Sequence, residues 1–126
     1  MIAKASTTAT RKILLIEDEG EMCLLLNMIL SRTDMLIDHV KSLSDAHAYL
    51  QSHQPFLILL DNRLPDGYGF DFIGYLKTNY PTIKIIMISG VDLAAGDFAI
   101  DAGADVFLPK PFSKTKLLQS IGSLLN

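Results

Sequence analysis

Apolar residues fall along this chain in two alternating rhythms. Short runs stand at Ile13-Leu14-Leu15-Ile16, Phe56-Leu57-Ile58-Leu59-Leu60 and Ile83-Lys84-Ile85-Ile86-Met87-Ile88. Runs this short and this apolar suit strands covered on both faces. Weaker versions span Met35 to Val40 and Val106 to Leu108. Between the runs the spacing turns helical. One stripe runs from Met22 through Leu25, Leu26 and Ile29, another from Leu117 through Leu118, Ile121, Leu124 and Leu125. Ser44, Asp45 and Ser113 stand where helix N-caps are expected. There is no internal repeat and no Gly/Ser or Pro-rich linker. Five strands and five helices in strict alternation predict an α/β fold, a doubly wound five-stranded parallel sheet with right-handed crossovers and helices on both faces.

The length of 126 residues fits one domain. Met1 to Arg11 is small and polar and reads as a disordered N-terminal tail (1–11), which leaves 12–126 as the folded unit. A net charge of −3 gives no basic excess, so direct nucleic-acid binding is not expected. The densest apolar window, Met22 to Leu30, falls short of the roughly 20 residues a membrane span needs, so no membrane partner is expected. Leu24, Met28 and Leu30 exceed a single stripe in that window and are candidates for a partner surface. The single Cys23 reads as a buried thiol in a reducing, cytoplasmic setting. His39, His47 and His53 form no metal set, and His47 and His53, six apart, are expected to be solvated.

In parallel α/β sheets ligands sit at the carboxyl ends of the strands. There the first run leads into Glu17-Asp18-Glu19, the third into Asp61-Asn62-Arg63, the fourth into Ser89-Gly90 and the fifth into Pro109-Lys110-Pro111. If the first and third strands are neighbours, about 5 Å apart, Glu17, Asp18 and Asp61 share one acidic pocket. Carboxylates that close repel one another and call for a cation. Mg²⁺ suits them, with Mn²⁺ as an alternative, because it takes a few carboxylates and leaves positions for phosphate oxygens. Lys110 adds a mobile positive charge and Ser89 a hydroxyl donor. This set suits phosphoryl transfer to a carboxylate, with Asp61 on the middle strand as nucleophile and Glu17 and Asp18 as metal ligands. Glu19 and Glu21 are expected to support the next helix N-terminus, and Gly67-Tyr68-Gly69, lacking a third glycine, reads as a turn.

From about Lys12 to Leu125 the chain resembles the receiver domains of two-component response regulators. The matching residues are Glu17-Asp18, Asp61 within Leu59-Leu60-Asp61-Asn62-Arg63-Leu64-Pro65-Asp66-Gly67, Ser89-Gly90 and Lys110-Pro111-Phe112. Their spacings also suit the family: 43 residues from Asp18 to Asp61, 28 more to Ser89 and 21 more to Lys110. The resemblance implies the flavodoxin-like strand order 2-1-3-4-5 and phosphorylation of Asp61 by a histidine kinase, a phosphotransfer protein or a small acyl phosphate. It also implies the main-chain carbonyl of Arg63 as a further metal ligand and a cis bond at Lys110–Pro111. Ser89 and Gly90 would meet the phosphoryl group, and Phe107 would stand at the aromatic switch position, where tyrosine is frequent. Phenylalanine can fill the space but offers no hydroxyl to a partner.

The segment from Asp92 to Gly103 has Gly96 mid-run and little to bury, so it is expected to be a marginal helix that moves on phosphorylation. Arg63 and Val91 flank the site and are expected to slow attack by water, one by charge and one by bulk. A phosphatase on the same architecture would want a second aspartate two residues after the nucleophile, and Arg63 stands there. A flavin carrier would want a hydroxyl- and glycine-rich loop where Glu17-Asp18-Glu19 stands. The expectation is therefore a phosphoprotein rather than an enzyme, a monomer or weak dimer that acts on an unknown downstream protein. A degenerate receiver, binding partners without phosphorylation, is the alternative. The sequence ends at Asn126, immediately after the last expected helix, with no output domain in view, which fits a stand-alone receiver or one cut from a longer protein.

Overall fold

Each apolar run becomes a strand: β1 (Lys12–Ile16), β2 (Leu36–Val40), β3 (Leu57–Asp61), β6 (Lys84–Ser89) and β7 (Val106–Pro109). The computed structural model describes residues 11–31, 33–90 and 94–125. The expected tail, apart from Arg11, and Val91 lie outside the described residues. The five strands pair in parallel in the order β2-β1-β3-β6-β7. Counted among themselves, they follow the expected 2-1-3-4-5. The other two strands form a short antiparallel ladder, β4 (Arg63–Leu64) with β5 (Gly67–Tyr68). Gly67 and Tyr68 are therefore strand and not the expected turn. The reversal falls on Pro65-Asp66, where proline fixes φ and carries no N–H, and Gly67 follows at φ 154°.

Period-two alternation splits the sheet into two buried faces. Leu14, Ile16, Ile58, Leu60, Ile85 and Met87 point to one side, under α2 (Leu43–Leu50), α3 (Gly69–Asn79) and α4 (Ala94–Ala102). Ile13, Leu15, Leu57, Leu59, Ile86 and Ile88 point to the other, under α1 (Gly20–Leu30) and α5 (Lys114–Leu124). Because both faces are covered, the central strands are apolar without interruption.

Two local expectations need correction. Helix α1 buries Cys23, Leu26, Ile29 and Leu30, while Leu25 is exposed. The helix is thus rotated from the expected stripe, with the Cys23 thiol turned inward to the Glu17 carbonyl. Leu24 and Met28 do face solvent, but Leu30 belongs to the core. Helix α2 starts before the expected caps. Its N-cap is Ser42, which accepts from the Asp45 amide, and Asp66 accepts from the Leu43 and Ser44 amides at 2.9 Å each. The first three amides of α2 are satisfied in this way. Ser113 caps α5, accepting from the Lys116 amide.

His47 and His53 are exposed, though the His47 ring meets Phe72 and Tyr75 edge-on and His53 stacks on Tyr49. Among the described residues no helix is long and apolar enough to cross a membrane.

Candidate functional site: an acidic cleft with a facing lysine

Parallel strands bring their carboxyl ends to one edge, and the register decides which residues meet there. Ile16 pairs with Leu60, so Glu17 and Asp61 emerge side by side. Asp61 pairs with Ile88, and Ser89 with Pro109, which sets Lys110 just past the adjoining strand end. Glu17, Asp61, Asn62 and Ser89 are all buried despite their polarity. Asp18 and Arg63 are exposed and Lys110 is half-buried.

A carboxylate oxygen from each of Glu17, Asp18 and Asp61 lies within 4.8 Å of the others. Lys110 faces them, with Nζ 3.0 Å from Asp61 Oδ1 and 3.7 Å from Glu17 Oε1. The Glu19 amide donates to Glu17 Oε2 at 3.1 Å. Burial, and then the charge of Asp61, push the Glu17 carboxyl up from 4.5 to about 7. Burial alone would depress the Lys110 ammonium. The hydrogen bond and charge of Asp61, with the charge of Glu17 behind them, outweigh it and move the group upward.

One lysine does not balance three carboxylates. The donor set is all oxygen and gathered within reach of a single ion, which fits a hard divalent cation. Beside it a cleft is lined by Asp61, Asn62, Arg63, Ser89, Gly90 and Lys110. Ser89 and Lys110 are joined through their backbones, Lys110 N–H to Ser89 O at 2.8 Å. The Lys110–Pro111 bond is cis. Phe107 lies on β7, half-buried, with its ring against Gly96 of α4.

Two supports of this site carry no label in the sequence. Asn62 accepts from the Gly69 amide through its carbonyl at 2.7 Å and from the Phe70 amide through Oδ1 at 3.2 Å. Gly69 sits so close that a Cβ there would run into the Asp61 carbonyl oxygen. A glycine eight residues after an aspartate reads locally only as a turn former. Its role comes from the ladder that folds α3 back onto the end of β3.

A model of the family described as response regulator receiver domain matches residues 13–122. The chain belongs to this family. The receiver is 34% identical over 107 residues to the DNA-binding transcriptional regulator NtrC of Proteus hauseri, covering 84% of this chain and 23% of that protein. It is 34% identical over 118 residues to the transcriptional regulatory protein GltR of Pseudomonas aeruginosa, covering 91% and 49%. It thus spans about a quarter to a half of the length of these curated relatives. Among solved structures it is similar to the signal receiver domain of a putative Luxo repressor protein from Vibrio parahaemolyticus, with a TM-score of 0.86, 27% identity, and 92% and 90% of the two chains covered.

Proposed function

We propose that this receiver is a phosphoryl-accepting switch in which the Asp61 carboxylate takes a phosphoryl group from a histidine kinase, a phosphotransfer protein or a small acyl phosphate. The observation that carries this reading is the convergence on Asp61 of two further carboxylates and the Lys110 ammonium. A carboxylate oxygen of Asp61 attacks phosphorus in line, and the bond from phosphorus to the donor's nitrogen or oxygen breaks. Its electron pair leaves with the donor, as a carboxylate from an acyl phosphate or as an imidazole nitrogen that takes up a proton from water. Lys110, already paired with Asp61, shifts to an oxygen of the incoming phosphoryl group and offsets its charge there. The buried Ser89, at the end of the neighbouring strand, donates its hydroxyl to another. Glu17, Asp18, Asp61 and the Arg63 carbonyl would hold Mg²⁺ or Mn²⁺, which when bound neutralises charge on the phosphoryl oxygens.

The phosphorylated state changes how Phe107 packs against α4 and so changes the surface offered to a downstream protein. Leu25 and Met28 on α1 line a cleft with Phe112 and Lys114, and with Leu24 they are exposed, which supports this face as one presented to a protein partner. Water releases the phosphoryl group slowly and no external substrate is turned over. The protein works in the cytoplasm, as a monomer or weak dimer, without touching nucleic acid itself. Intact-mass measurement after incubation with acetyl phosphate and Mg²⁺ tests the reading. One added phosphoryl group, lost in Asp61→Ala, is expected. A wild-type mass that does not change leaves the degenerate receiver in its place.

A further inference from the structure

The carbonyl oxygen of Glu17, one residue past β1, is gripped from two other elements. His39 on β2 places Nε2 2.7 Å from it, and the Cys23 thiol on α1 donates to it at 3.4 Å. Sγ and Nε2 are themselves 2.9 Å apart. A carbonyl oxygen only accepts, so Nε2 carries a proton and donates it. The Glu17 amide, on the other side of the residue, donates to the Val40 carbonyl at 3.1 Å. The peptide links before and after Glu17 are therefore both tied to β2. That strand ends at Val40, and the carbonyl takes its donors from side chains instead.

We propose that His39, with Cys23 beside it, is a positioning residue for the acidic cleft. By fixing the Glu17 peptide it sets where the Glu17 and Asp18 carboxylates stand relative to Asp61, and so raises the affinity for the divalent ion. Asp18 is exposed, and its place is inherited from the backbone before it. Mg²⁺ demands near-ideal octahedral geometry, so a small drift of either carboxylate weakens binding. The same reasoning applies to groups behind metal ligands in general, where loss of the support lowers affinity about 10–100-fold. This proposal rests on the phosphoryl-acceptor reading above.

The test compares wild type with His39→Val, which keeps a strand-forming side chain without the donor, and His39→Gln, which restores an N–H. Mg²⁺ affinity is read by NMR titration of the ¹⁵N-labelled protein, alongside the melting temperature. Binding about tenfold weaker in His39→Val and recovered in His39→Gln supports the proposal. A change in melting temperature with unchanged Mg²⁺ affinity overturns it, because that is what a purely structural role predicts. Equal weakening in both variants also overturns it, since packing and not the donor would then matter. A second measurement needs no variant: long-range ¹H–¹⁵N correlations of the neutral His39 ring place its proton on Nε2, and a proton on Nδ1 overturns the clamp outright. Wild-type protein that binds no Mg²⁺ overturns the phosphoryl-acceptor reading and this proposal together. Wild-type binding with an indifferent His39→Val overturns this proposal alone.

Discussion

Glu17 ought to make this protein less stable as the solution becomes less acidic. Its side chain is buried to 1% exposure beside Asp61, and its carboxyl is raised from 4.5 to about 7, by burial first and by the Asp61 charge second. A carboxyl that holds its proton more tightly when folded makes folding take up a proton between those two values. Stability from this group is therefore greatest below pH 4.5, falls as pH rises through about 7, and is level above that. At about 1.36 kcal/mol per pH unit the fall is at most about 3.4 kcal/mol, and solvent screening at the cleft mouth brings it nearer about 2 kcal/mol. Glu17→Gln keeps the size and the acceptor for the Glu19 amide but cannot titrate. Urea unfolding of both proteins in EDTA, followed by far-UV circular dichroism from about pH 5 to about pH 8, measures the difference. The variant gains on wild type across that range by about 2 kcal/mol. Two stability curves that stay parallel would refute the reasoning.

Gly69→Ala drives a methyl group into the Asp61 carbonyl; a loss of about 1–3 kcal/mol is expected, and a urea midpoint equal to wild type would contradict it. Asp66→Ala strips acceptors from the Leu43 and Ser44 amides, so both should exchange faster with deuterium and the melting temperature should fall. The same two bonds hold the Asp66 carboxyl below its usual range. Its contribution is present above that range and disappears as pH falls through the lowered value, so the Asp66→Ala and wild-type melting temperatures should converge in acid. Gly96→Ala sets a methyl 3.0 Å from Phe107 Cδ2; the ring should turn away from α4, and unchanged ring chemical shifts would rule this out.

The strands were legible because both faces of the sheet are covered, which leaves unbroken apolar runs with polar residues at their ends. Those ends then exposed Asp61, Glu17, Asp18, Ser89 and Lys110, since a parallel sheet gathers its carboxyl termini at one edge. The rotation of α1 was not legible. Met22, Cys23, Leu24, Leu25 and Leu26 are apolar all round, so periodicity could not choose a face, and the bond from Cys23 to the Glu17 carbonyl accompanies the one observed. The start of α2 was missed because part of its cap, Asp66, comes from more than twenty residues downstream. His39 was set aside for lack of a metal-binding neighbour, yet its partner is a backbone oxygen, which no side-chain pattern records.

The cleft has one stiff wall. On the α3 side, Gly69 abuts the Asp61 carbonyl, Asn62 holds two amides of the turn into the helix, and Asp66 staples the ladder to α2. Beside α3 on the same face of the sheet lies α4, with a glycine against Phe107 and with Phe98 71% exposed. Strain introduced at Asp61 would therefore spend itself on α4 and β7, and partners reading that flank would sense a displacement that partners resting on α3 would not.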